Sequence, residues 1–225
     1  MRENNVEYKI FDSGIQVLKV TLGEGEAIYA DTGHMIAKSS SVQMKTRMVG
    51  GLFSSLKRKM TGATFFVTEL VGPGTVYLSN IFPGKIAHIP VQGKGILAIS
   101  HSFLATEKGV KYDTKLTKLT VGKFGGEGYF LAKFHGSGNL FLHGYGDVIT
   151  EELKEGEEMQ IEATHLMAFE EGMKYGIKFV GGITSMLFAH EGLFFINIKG
   201  PGRVWIQSLN SSFLTSVFMK YLNGK

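Results

Sequence analysis

The sequence predicts an all-β protein in which one module is written three times, and three observations carry that expectation. The first is a repeat. Gly72-Pro73-Gly74, Gly136-Ser137-Gly138 and Gly200-Pro201-Gly202 recur every 64 residues, inside stretches that align without a gap: TFFVTELVGPGTVYLS, GYFLAKFHGSGNLFLH and GLFFINIKGPGRVWIQ. Self-similarity at a fixed period marks tandem copies of one supersecondary unit. The second is alternation. Phe130, Ala132 and Phe134, then Phe194, Ile196 and Ile198, fall at every second position, the period of a strand with one buried face. The third is composition. There are 30 glycines but only 4 prolines in 225 residues, and 44% of residues are apolar. That balance fits many short strands and tight turns rather than a disordered chain.

Each glycine stretch reads as a β-hairpin. Pro73 and Pro201 suit the second position of a tight turn, and Gly74 and Gly202 suit the third, where a type II turn needs positive φ. After the turn, Val76 and Leu78, Leu140 and Leu142, and Val204 and Ile206 share one face, while Tyr77, Phe141 and Trp205 point to the other. A strand apolar on both faces needs a second covering layer.

Residues 6–22 read as two short strands around Asp12-Ser13-Gly14. The segment Glu24-Gly25-Glu26-Ala27-Ile28 followed by Thr32-Gly33-His34-Met35-Ile36-Ala37 returns as Glu155-Gly156-Glu157-Glu158-Met159 followed by Thr164-His165-Leu166-Met167-Ala168. A looser middle copy holds Gly93-Lys94-Gly95-Ile96 and His101-Ser102-Phe103-Leu104-Ala105. The reading is therefore one domain over 1–225, built of modules at about 6–79, 80–143 and 144–208 in a pseudo-threefold arrangement of sandwiches, with a C-terminal helix over 210–222. In that helix Phe213, Val217, Phe218 and Tyr221 lie on one side and are expected to mediate self-association. A second helical stretch is expected at Leu52 to Met60, where Phe53 and Leu56 adjoin Lys57, Arg58 and Lys59. These five are the expected contacts with a partner or an anionic membrane surface.

The absence of cysteine excludes disulfides, thiolate metal sites and cysteine nucleophiles, and fits a cytoplasmic setting. A net charge of +4 is too small to imply nucleic acid. Lys108, Lys111, Lys115, Lys118 and Lys123 are dispersed rather than interleaved with base-stacking aromatics, which argues against RNA. No phosphate-binding loop or nucleophile elbow occurs, so no enzyme and no cofactor are expected. His34, His101 and His165 occupy matching places in the three modules if one residue of bulge is allowed. They form the candidate metal set, set against hydrogen-bonding caps at strand ends.

Three stretches carry a family resemblance: GGLFSSLKRKMTGATFFVTEL, the EGE…TGHMIA segment and the closing GPGRVWIQS. They resemble the bacterial and archaeal family related to a mitochondrial inner-membrane biogenesis protein of the altered-inheritance-of-mitochondria type. The resemblance implies three tandem β-sandwich units similar to the tryptophan RNA-binding attenuation protein (TRAP-like), of the double-stranded β-helix type. It implies no catalytic residues. Taken together, the residues predict a binding or scaffolding homo-oligomer working near a membrane surface. Metal or small-molecule binding through the histidines, and RNA binding by analogy of fold, are the alternatives.

Overall fold

The structure, a computed structural model, describes residues 6–12, 14–46, 67–119, 129–180, 193–210 and 218–222, with backbone alone at 46, 114–119, 129–130, 179–180 and 193–194. The chain is mostly strand, as expected. The first stretch holds β1 (Glu7–Phe11), β2 (Val17–Leu22), β3 (Ala27–Asp31), β4 (Met35–Lys38), β5 (Gln43–Thr46), β6 (Val67–Val71) and β7 (Gly74–Ser79). The second holds β8 (Ile86–Gln92), β9 (Ile96–Ile99), β10 (Phe103–Glu107), β11 (Val110–Leu119) and the long β12 (Tyr129–His143). The third holds β13 (Val148–Leu153), β14 (Glu158–Glu162), β15 (Leu166–Glu170), β16 (Lys174–Val180), β17 (Leu193–Lys199) and β18 (Gly202–Gln207). A 3-10 turn follows β3, β9 and β14 in turn: Thr32–His34, Ser100–Ser102 and Ala163–His165.

The glycine stretches are not hairpins. β7 pairs with β2 and β4, whereas β6 pairs with β3 and β5. Likewise β18 pairs with β13 and β15, and β17 with β14 and β16. In the middle stretch no break occurs. β12 runs unbroken through Gly136-Ser137-Gly138, pairing with β9 and β11 before it and with β8 and β10 after it. The repeated glycines therefore mark a corner at which the chain leaves one sheet and enters another, as strands do at bends between stacked sheets. The predicted type II turn is also replaced, since Gly72-Pro73 and Gly200-Pro201 are cis peptide bonds. The positive φ was expected correctly: 139° at Gly74, 141° at Gly138 and 149° at Gly202. The space is closed too. A Cβ on Gly138 would lie 2.8 Å from Glu107 Oε2, and one on Gly202 2.8 Å from Met173 Sδ.

Among the described residues these pairings join into three sheets, the largest of eleven strands, which the corner in β12 divides into two compound sheets. The others are β1-β2-β7-β4 and β14-β17-β16. In the compound sheets β10 adds to β3, with Ala105 opposite Ala30 and Glu107 opposite Ile28. In the same way β15 adds to β9, with Ala168 opposite Ala98 and Glu170 opposite Ile96. Three apolar cores lie between successive sheets. The first joins Leu18 and Val20 of β2 and Leu78 of β7 to Ile28 of β3 and Leu70 of β6. The second joins Ile89, Phe103 and Leu142 to Ile96, Ala132 and Phe134. The third joins Leu153, Phe169 and Val204 to Ile161, Ile196 and Ile198.

The outward aromatics behave as the two-faced pattern requires. Phe141 packs into the first core and Trp205 into the second, each the core preceding its own. A pseudo-threefold arrangement would need a third joint between β4 and β14. Those strands do not pair with each other, and each has one partner strand among the described residues. Among the described residues the sheets follow one another in a row, with β4 and β14 at its two ends.

Of the C-terminal helix, 218–222 is described, and Phe218, Met219, Tyr221 and Leu222 are all exposed there.

Candidate functional site

Two polar clusters interrupt the apolar row. One is built on the corner of β12. Glu107, the last residue of β10, is buried, and Asn139 follows Gly138 directly. Glu107 Oε2 accepts the Asn139 backbone N–H at 2.8 Å, and its Oε1 accepts the Asn139 side-chain amide at 3.0 Å and the Val6 N–H at 3.2 Å. The network continues outward, because His88 Nε2 meets Asn139 Oδ1 at 2.6 Å and Tyr8 Oη lies 3.2 Å from His88 Nδ1. Glu107 and Asn139 line one wall of an open cleft of about 660 Å³, shared with Val6, Glu26, Pro90, Gln92, Lys108 and Ser137. The cleft takes walls from the first and second stretches. Its carboxylate already receives three N–H donors, so it acts as a tie between strands rather than as a free base.

The corresponding positions beside the other corners carry different chemistry. Glu170 accepts Arg203 Nε at 2.6 Å, and Ser39 Oγ accepts the Thr75 N–H at 3.0 Å. All three pairs fasten the end of one strand to the residue after the corner glycine.

The second cluster gathers where β7, β12 and β18 end. The Nδ1–H of His34 donates to the Ser79 carbonyl at 3.1 Å, and that of His165 to the Gln207 carbonyl at 2.8 Å. Gln207, itself buried, donates to the Thr164 carbonyl at 2.8 Å and accepts the Tyr145 N–H at 3.2 Å. His34 and His165 are each the third residue of a 3-10 turn. In the middle turn the third residue is Ser102, and His101 stands second. The bulge invoked to align the three is present in all of them, at Met35/Ala37, Phe103/Ala105 and Leu166/Ala168, so it does not bring His101 into register.

The histidine that sequence reasoning left without a role is the most confined. His143 ends β12 at the position of Ser79 and Gln207, and its ring lies 4.3 Å from that of His34 and 5.8 Å from that of Tyr145. It is 1% exposed, and among the described residues neither ring nitrogen has a hydrogen-bond partner. Burial first, and then the nearby His34 and His101, hold its pKa well below the usual histidine value. His101 keeps an exposed surface, yet the protein packed around it lowers its pKa as well. Among the described residues no three His, Asp or Glu side chains are grouped to hold a metal ion.

Phe53, Leu56, Lys57, Arg58 and Lys59 lie outside the described residues, as do Phe213 and Val217. Phe218 and Tyr221 are exposed, at 56% and 88%. No helix among the described residues is long and apolar enough to cross a membrane.

A crystal structure of a Streptococcus pyogenes protein matches with a TM-score of 0.80 at 23% identity, covering 96% of this chain and all of that one. An uncharacterised protein of Streptococcus pyogenes serotype M6 is 27% identical over 237 residues, 99% of this chain and 93% of its own length. The family described as mitochondrial biogenesis AIM24 matches residues 8–209, and the chain belongs to that family.

Proposed function

We propose that the protein is a non-enzymatic binding and scaffolding protein that self-associates, folded as three tandem TRAP-like sandwich modules. The observation that carries this reading is where its buried polar groups are spent. Glu107 is tied to Val6 and Asn139, Glu170 to Arg203, His34 to Ser79 and His165 to Gln207. Residue types that elsewhere act as bases or ligands here fasten one segment of the chain to another. The recurring pairings support the modular reading, since β2–β7–β4, β8–β12–β10 and β13–β18–β15 have one plan. The exposed apolar residues of 218–222 supply one surface for association.

Light scattering on the tag-free protein across the micromolar range tests the reading. A multimer of defined mass is expected. A monomer at every concentration would overturn self-association. Glu107→Gln and His165→Gln are expected to lower the melting temperature, as structural ties do.

A further inference from the structure

The row has two joints and two ends, and the ends are made of the same parts as the joints. At each joint a strand following a 3-10 turn adds to a strand preceding one: β10 to β3, and β15 to β9. At the first end β4 follows its turn and pairs only with β7, and at the other β14 precedes its turn and pairs only with β17 among the described residues. Burial reports the difference. Leu104 and Ala105, and Met167 and Ala168, are buried in the joints. The matching Ile36 is 59% exposed and Ala37 is exposed beside it. Tyr77 shares this fate. It is half-buried, where Phe141 and Trp205 insert into the preceding core.

We infer that β4 of one copy pairs antiparallel with β14 of a second copy, so that the chain assembles head to tail by the strand addition that already builds its interior. This deepens the self-association reading and rests on it. The register follows from the joints. Ala30, Ala98 and Ile161 face Thr68, Ala132 and Ile196, which are 64 residues apart in turn. Ala37 therefore meets Ile161 as Ala105 meets Ala30, and Lys38 meets Gln160 as Thr106 meets Tyr29. The charges agree with the pairing, since β4 carries Lys38 and no acid, whereas β14 is flanked by Glu158 and Glu162. Other outer strands carry the usual protections against edge pairing: Lys9 in β1, Pro90 in β8, Glu151 and Glu152 in β13. β4 carries Lys38 as well, but Ile36 and Ala37 stand exposed beside it. A contact between two unlike edges is heterologous, closing into a ring or extending as a filament.

Complementation tests it. Ala37→Glu sets a carboxylate against the acidic β14 edge, and Gln160→Lys sets a lysine opposite Lys38. Like charges directly opposed across a strand pair weaken it. Each variant alone is expected to be a folded monomer by circular dichroism and light scattering, with assembly weakened by about tenfold or more. Mixed in equal amounts, they are expected to give a one-to-one dimer by native mass spectrometry, because each retains the edge the other lost. If Ala37→Glu fails to fold, Ile36→Glu takes its place, since it sets a carboxylate beside Glu162 of the same edge. Multimers that persist in both variants would overturn the edge pairing while leaving self-association intact. Monomeric variants that give no dimer on mixing would overturn the head-to-tail arrangement. A monomeric wild type would overturn both readings.

Discussion

The joint at β10 and the open end at β4 have one backbone plan and opposite surroundings. Both strands follow a 3-10 turn, begin with the same bulge and pair with the strand after the corner glycine. One is covered by β3 and fully buried, while the other ends the sheet with Ile36 in solvent. The difference teaches that burial in this protein is a property of the neighbour, not of the strand. The same alanine is core at 105 and 168 and surface at 37 because a second sheet adds to one and not to the other.

The largest effect should come from charging those alanines. Ala105→Glu or Ala168→Glu buries an unpaired carboxylate and should cost more than about 4 kcal/mol, enough to abolish cooperative unfolding. In the monomer Ala37→Glu should stay within about 0.5 kcal/mol of wild type. Urea denaturation of the three variants measures the contrast, and equal losses would break it. The aromatics sharpen it next. Trp205→Ala should cost about 3–5 kcal/mol as a core truncation, while Tyr77→Ala should cost clearly less in a monomeric background.

The corner ties come third. Glu107→Ala strands the amide of Asn139 and should cost about 1–3 kcal/mol, whereas Ser39→Ala loses one neutral bond, worth about 1 kcal/mol. The remaining effect is in pH. The His143 pKa is lowered by folding, so the unfolded chain takes up a proton that the folded chain does not. Stability is full above about pH 6.5 and falls below it, by at most about 1.4 kcal/mol per pH unit for that one proton. His143→Gln should reduce the slope measured by chemical denaturation between pH 6.5 and 5, with His101 supplying what remains. An unchanged slope would show that His143 does not titrate as its burial requires.

Much of this was legible in the sequence. The alternation around each corner, the positive φ of Gly74 and Gly202 and the two-faced strands at Phe141 and Trp205 all follow from local pattern. What alternation does not encode is the partner. A strand that folds back on itself and one that crosses into another sheet show the same period, so the corners read as hairpins. The misalignment of His101 has a similar origin, because the bulge allowed to it occurs in every copy. His143 was within reach, since it stands 64 residues from both Ser79 and Gln207. The tie between Glu107 and Asn139 depends on a pairing across β10 and β12 that no local signal reports.

Hydrogen exchange at two protein concentrations tests the central claim most directly. Amides of β4 and β14 should gain protection together as the protein is concentrated, while those of β1 and β13 do not change. Equal exchange of β4 and β14 at both concentrations, in a protein that assembles over that range, would contradict it.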